Sequence, residues 1–211
     1  MGRDRSVMAG LPYLIGLTGN IATGKSEVGR ILSELGAKVI DADRVAHTVM
    51  EPRGPAYEPV AEAFGPGILD EDGSIDRAKL GHIVFRDPAA LRRLEAAVHP
   101  ATIDEVGRRI SQASEPVVVV EAIKLIEAGM HRLYHEVWVV TAPRALQIKR
   151  LMEDRNLSEE EASLRVDAQP PQEEKVALAD RVFVNDGDLN ELEDKVRAAW
   201  SEIQPGLGSE Q

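Results

Sequence analysis

Cysteine is absent from the 211 residues, and that one absence removes disulfide frameworks, thiolate zinc sites and thiol nucleophiles together. It suits a cytoplasmic enzyme, and the cytoplasm is the expected location. No apolar run approaches the roughly 20 residues that a membrane helix needs. Residues 1–12 place charges on both sides of a very short apolar patch, without the long apolar region of a secretory signal, and read as a loose tail. A basic surplus is lacking too. The 25 Lys and Arg face 36 Asp and Glu, for a formal net charge of −11, which argues against a general nucleic-acid or anionic-membrane surface. Any polyanion must therefore be met by basic residues gathered locally.

What is present is ordinary for a soluble globular protein: 43% hydrophobic and 29% charged residues. The length predicts one core carrying insertions, since it is large for one compact domain and small for two. Five short segments rich in Val and Ile occur at 13–18, 37–40, 116–120, 136–141 and 181–184, most of them followed by a helical pattern. Continuous apolarity predicts strands covered on both faces, hence a mainly parallel sheet between helices. The interval of about 75 residues between the second and third segments is too long for one crossover. It holds a turn at Phe64-Gly65-Pro66-Gly67, an acidic loop at Asp70-Glu71-Asp72-Gly73, and helical stretches from Asp76 and Asp87. A helical acceptor-binding insertion over 51–113 is the economical reading. After the fourth segment, Pro143 starts a helix over Arg144–Arg155, and Ser158-Glu159-Glu160-Glu161 predicts a capping box for a second. The resulting helical hairpin, a lid over 143–178, carries Arg144, Arg150, Arg155 and Arg165. The core is then 13–50, 114–142 and 179–202, and the Gly- and Ser-containing end from 203 to 211 reads as a second loose tail.

The sharpest local signal is Gly19-Asn20-Ile21-Ala22-Thr23-Gly24-Lys25-Ser26, a G-x-x-x-x-G-K-S phosphate loop opening directly after the first apolar segment. Such a loop must leave a buried strand and feed a helix N-terminus, where unpaired N–H groups and the helix dipole face an anion. Lys25 is placed to reach the β- and γ-phosphates of ATP and Ser26 to hold Mg²⁺. A merely solvated lysine in a Gly-rich turn would leave the following Ser unexplained. Asp41 and Asp43 stand at the carboxyl end of the second segment, where ligands of open α/β sheets bind. Asp41 is the better helix cap, and Asp43 is the candidate to orient an acceptor hydroxyl and take its proton. The hairpin arginines Arg150 and Arg155 are candidates to close over the triphosphate, whereas Arg144 and Arg165 fit a solvated charged face. Asn185-Asp186-Gly187 is a turn by composition; it follows the fifth segment, where kinases with such a phosphate loop often cradle the adenine, which makes Asn185 and Gly187 candidates for that contact. Arg77 and Lys79 open an inserted helix and either bind the acceptor's phosphates or stay solvated. His99 precedes Pro100, a helix stop signal, so a helix-end role competes with substrate contact. Trp138, inside the fourth segment, is a core residue.

The order of these motifs resembles the dephospho-CoA kinase family over about residues 14–196. The residues that carry the resemblance are Gly19 to Ser26, Ile40-Asp41-Ala42-Asp43, Leu94-Glu95-Ala96-Ala97-Val98-His99-Pro100, Gln147 to Arg150 with Arg155, Ala179-Asp180, and Asn185-Asp186-Gly187. The resemblance implies a P-loop NTPase fold, a three-layer α/β/α arrangement with a five-stranded parallel sheet, a helical insertion and a helical lid. It implies phosphorylation by ATP, with Mg²⁺, of the ribose 3′-hydroxyl of dephospho-CoA, the last step of coenzyme A synthesis. Asp43 would be the acceptor-side base, and Arg77, Lys79 and His99 would belong to the dephospho-CoA site. A monomer or weak homo-oligomer is expected, with no nucleic-acid or membrane partner.

Departures from the usual family pattern bear on these expectations. Asn20 and Ala22 stand where glycines are common, and Asn20 is the one expected to matter, through its backbone conformation. Glu121 stands where the family has an aspartate, and at the end of strand three it can still bear on Mg²⁺ through water. Lys124, in an apolar stretch, is expected to snorkel to solvent. The alternatives are another small-molecule kinase of this fold, acting on a nucleoside, nucleotide or shikimate-like acceptor, and a nucleotide-dependent switch. No guanine-specifying N-K-x-D sequence occurs, and two helical additions suit an enzyme with two substrates better than a switch.

Overall fold

The computed structural model describes residues 12–207. The Val- and Ile-rich segments form strands β1 (Tyr13–Thr18), β2 (Lys38–Asp41), β3 (Val117–Glu121), β4 (Glu136–Thr141) and β5 (Arg181–Val184), in the sheet order β2-β3-β1-β4-β5. β1 runs parallel to β3 and β4, with Ile15 opposite Val119 and Gly16 opposite Val137, and β4 runs parallel to β5. The chain passes from β1 to the edge strand β2, returns by β3, and then crosses β1 to β4 and β5 on the other side, so the carboxyl end of β1 is the topological switch point at which α/β sheets bind ligands. Every residue of β3 is buried, which is why its sequence shows no polar alternation.

On one face, Ile15 and Leu17 join Val28, Ile31 and Leu32 of α1 (Lys25–Glu34) and Leu192, Val196 and Trp200 of α9 (Leu189–Leu207). On the other, buried Leu125 and Tyr134 lie under Gly16, and α8 (Gln172–Val176) packs beside β4. These layers make the α/β fold that the sequence predicts. Trp138 is fully buried against Phe183. α9 continues to Leu207, past residue 203 where the sequence predicts a loose tail. The same expectation for residues 1–11 and 208–211 lies outside the described residues.

Glu136, at the start of β4, accepts hydrogen bonds from Trp138 Nε1 at 2.6 Å, Arg181 Nε at 2.9 Å and Tyr13 Oη at 3.2 Å. Burial alone would push its carboxyl pKa up, but the bonds from Arg181 and Trp138 outweigh burial and hold it below the usual carboxylate range. A depressed folded-state pKa stabilises the protein above the unfolded value and is lost as pH falls through the folded one. Glu136→Gln is therefore expected to lower stability by about 1–3 kcal/mol at neutral pH and to flatten its fall in acid. Urea unfolding at pH 7 and pH 4 checks this; an unaltered acid slope would contradict it.

Contacts divide the chain into two units, one made of residues up to Ile40 with those from Ala113 onward, the other Asp41–Gln112. Helix α2 (Ala42–Thr48), assigned to the core on sequence grounds, falls in the second unit. There α2, α3 (Tyr57–Phe64) and α4 (Arg77–Arg86) all pack on α5 (Pro88–Ser111). Asp76 caps α4 through the N–H groups of Ala78 and Lys79, and Asp87 caps α5 with Pro88 in its first turn. The predicted helix stop at Pro100 is corrected, since α5 runs through it to Ser111. The ring removes the N–H that would bond the Ala96 carbonyl. Ala96 is exposed, so solvent can take that carbonyl and the helix survives the loss.

In the first unit, α6 (Arg144–Arg155) and α7 (Glu159–Asp167) pack as the expected hairpin. α6 ends at Asn156 in the left-handed conformation, and Ser158 with Glu161 forms the full capping box. Arg144 pairs with Asp167 at 2.7 Å on the exposed surface, a contact that adds little to stability.

Candidate active site

At the switch point the chain leaves β1 and turns into α1, with Gly24 at the helix's N-cap position. No side chain caps this end, so the first-turn N–H groups are presented to an anion. Gly24 has φ 91°, and a Cβ there would lie 2.0 Å from Asn185 Nδ2. Both facts demand glycine. Gly24→Ala is expected to weaken ATP binding by about tenfold or more, from left-handed strain alone of about 1–2 kcal/mol. Calorimetric titration with a non-hydrolysable ATP analogue reads this directly.

Lys25 and Glu121 are both buried, at 9% and 6% exposure. The Lys25 ammonium lies 2.6 Å from Glu121 Oε1, and the Ser26 hydroxyl donates to the same oxygen at 3.2 Å. The end of β3 thus brings a carboxylate to the first turn of α1. One cation, one hydroxyl and one carboxylate converge at a helix N-terminus, the donor set that a triphosphate and its metal ion require. Among the described residues no group of three or more His, Asp or Glu side chains could hold a metal ion by itself. Mg²⁺ needs none, because it keeps waters and phosphate oxygens and takes only one or two protein ligands. Ser26 and Glu121 fit that requirement.

Asn185 follows β5 and is 1% exposed. Its Nδ2 donates to the Thr23 carbonyl at 2.9 Å, and its Oδ1 accepts from Arg150 Nη2 at 2.8 Å. Arg150 Nη1 also donates to the Ala22 carbonyl at 3.1 Å, and burial lowers its guanidinium pKa. Gly187, at φ 128°, stands two residues further along the same loop. The structure therefore brings Arg150 and Asn185 onto the phosphate loop. Arg155 stands exposed at the last position of α6, and Arg165 is exposed on α7.

The left-handed non-glycine residue of the loop is Ala22, not Asn20 as the sequence suggests. It is Ala22 that adopts a left-handed φ of 57°, at a cost of about 1–2 kcal/mol, whereas Asn20 is not among the non-glycine residues with positive φ. Asn20 is held by Nδ2 donating to the Pro170 carbonyl at 2.9 Å. The sequence offers Gln147 within a family motif but assigns it no role, and Gln169 is not singled out at all. Gln147 Nε2 donates to the Ile21 carbonyl at 2.6 Å, and the Ile21 N–H donates to Gln169 Oε1 at 2.7 Å. The available signal was an uncharged, strongly polar residue on the apolar side of α6, where Gln147 is buried together with Ile148 and Leu151. Buried Lys175 was also missed; its ammonium donates to the Ile123 carbonyl and pairs with Glu127 at 2.6 Å. Lys124 is exposed, in keeping with the snorkelling expectation.

In the second unit Asp41 caps α2, accepting from the Arg44 N–H at 2.9 Å, so the cap falls to Asp41 while Asp43 stands half-buried in the first turn. Arg77 is exposed and lines a cavity of about 260 Å³ with His47, Met50, Glu51, Pro52, Ser74 and Ile75. Lys79 is paired with Asp76 at 3.0 Å and Asp70 at 3.3 Å, and these bonds raise its pKa. His99 is exposed on α5. It does not line that cavity.

Known proteins share both sequence and fold with this chain. The sequence profile of the dephospho-CoA kinase family matches residues 13–191. A dephospho-CoA kinase of Symbiobacterium thermophilum is 44% identical over 200 residues, covering 93% of this chain and 84% of that relative. A crystal structure of a Thermus thermophilus protein superposes with a TM-score of 0.81 at 35% identity, over 92% of this chain and 99% of that one. The dephospho-CoA kinase from Campylobacter jejuni superposes at 0.60 with 27% identity, over 91% and 97%.

Proposed function

The chain belongs to the dephospho-CoA kinase family, and from that premise we propose that it transfers the γ-phosphoryl group of ATP to the ribose 3′-hydroxyl of dephospho-CoA, giving coenzyme A and ADP. The observation that carries the reading is the convergence of Lys25, Ser26 and Glu121 at the N-terminus of α1. The loop from Gly19 to Ser26 binds the phosphates, Lys25 exchanges Glu121 for phosphate oxygens, and Arg150 adds positive charge from the lid. Arg155 is a second cation on the lid, and Asn185 and Gly187 flank the adenine. Ser26 and Glu121 would hold Mg²⁺, Glu121 through water. The metal supplies neutralisation of phosphate charge when bound.

Transfer through a loose transition state needs alignment and charge neutralisation more than a strong base. Asp43 orients the acceptor hydroxyl and takes its proton as the new P–O bond forms and the bond to ADP breaks. Within the Asp41–Gln112 unit, Arg77 offers its guanidinium beside a cavity to the acceptor's phosphates. Lys79 joins it after leaving Asp70 and Asp76, and His99 contributes from α5. The reading puts the enzyme in the cytoplasm, acting as a monomer or weak homo-oligomer without nucleic acid or membrane; among the described residues no helix is long and apolar enough to cross a membrane. An acceptor panel tests it. ADP release with Mg²⁺ and ATP should depend on dephospho-CoA and remain near background with adenosine, AMP or shikimate. Equal turnover with one of those three would overturn the acceptor assignment.

A further inference from the structure

The phosphate loop lacks glycine at 20 and 22 yet places Ala22 in the left-handed region. Inside the loop the Thr23 hydroxyl donates to the Asn20 carbonyl at 3.0 Å, and further ties reach the loop from outside. Both polar groups of the Ile21 backbone are gripped by side-chain amides, the carbonyl by Gln147 of α6 and the N–H by Gln169, which follows α7. The next carbonyl, that of Ala22, is held by Arg150. Gln147 is 1% exposed, so its amide has no solvent to fall back on. The Gln169 segment is itself anchored: Gln172 accepts from the Ala142 N–H at 3.1 Å and donates to the Ala142 carbonyl at 3.0 Å, just beyond β4. We propose that Gln147 and Gln169 are positioning residues that clamp Ile21 and thereby hold the phosphate loop in its nucleotide-binding shape.

The residue type follows from the task. An amide both donates and accepts without carrying charge, so it can tie either backbone group while adding no repulsion beside a triphosphate. Glutamate at 147 could not donate to a carbonyl, and lysine at 169 could not accept from an N–H. Because Gln169 occupies the Ile21 N–H, the anion is left to the N–H groups further along the loop and in the first turn of α1. The clamp also ties both ends of the lid hairpin to the loop, since one glutamine lies in α6 and the other beyond α7.

The inference rests on the nucleotide-binding reading of this loop but not on the identity of the acceptor. Its test is calorimetric titration of the full chain with AMPPNP and Mg²⁺, together with steady-state kinetics. Gln169→Ala and Gln147→Met, the latter keeping side-chain volume, should each raise the AMPPNP Kd and the KM for ATP about tenfold, with the acceptor KM changed less than twofold. Ala22→Gly should soften the clamp's importance, so that Gln169→Ala costs about threefold in that background, a non-additivity expected only of coupled residues. Wild-type affinity in both glutamine variants, tighter AMPPNP binding on losing Gln169, or full additivity with Ala22→Gly would overturn the clamp. A wild-type enzyme that ignores dephospho-CoA would sink the acceptor reading alone, because the AMPPNP binding ratios test the clamp with no acceptor present.

Discussion

Lys25→Met is expected to slow phosphoryl transfer by on the order of 10³-fold or more, the scale reached when a cation is removed from a transferring phosphoryl group. The ammonium sits at the start of α1, 2.6 Å from Glu121, in a site where little water screens it. During transfer, charge spreads over the equatorial oxygens of the phosphoryl group, and a fixed cation there stabilises the transition state without having to reorganise. The substitution has a second effect. Glu121 is buried, so removing its partner leaves an uncompensated carboxylate and costs about 3–5 kcal/mol of stability. Comparing the double variant Lys25→Met/Glu121→Gln with Glu121→Gln alone, which already lacks the carboxylate assigned to Mg²⁺, separates the two effects. The double variant should match Glu121→Gln in thermal stability while its single-turnover transfer stays about 10³-fold slower than that of Glu121→Gln. Recovery of activity along with stability would mean that Lys25 serves only the ion pair.

Asp43→Asn is expected to lower the transfer rate by ~10²- to 10⁴-fold at saturating acceptor, the range for positioned acid–base groups. The comparison that gives this number meaning is its neighbour. Asp41 caps α2 through the Arg44 N–H, and asparagine caps as well as aspartate. Asp41→Asn should therefore leave both stability and turnover close to wild type. Two aspartates separated by one alanine would then differ by two orders of magnitude or more in consequence. Near wild-type chemistry in Asp43→Asn with saturating dephospho-CoA would remove the base assignment.

Local patterns in this chain are readable where local physics decides the outcome. The strands announce themselves by continuous apolarity because both faces of the sheet are covered, and Ser158 with Glu161 forms a cap because that motif closes within one turn. The phosphate loop is legible for the same reason, as its strand, glycines and helix start lie within a dozen residues. Residues whose role depends on distant partners are not. Nothing near Gln169 in sequence reveals that it meets Ile21, 148 positions away, and nothing near Glu136 foretells its bond to Arg181. Pro100 misleads because the stop rule weighs the lost N–H and the ring, whereas exposure of Ala96 decides what that loss costs. Ala22 hides behind Asn20 because propensity for positive φ is a property of residue type, and here the tertiary ties from Arg150 and the two glutamines decide which residue takes it.

Phosphoryl transfer to the ribose 3′-hydroxyl leaves its record in the product. Incubation with γ-labelled ATP, Mg²⁺ and dephospho-CoA, followed by chromatographic separation and digestion of the labelled species, should place the label on the ribose 3′-position of coenzyme A. Label on any other position, or label found only as free phosphate, would mean that the enzyme does not carry out this transfer.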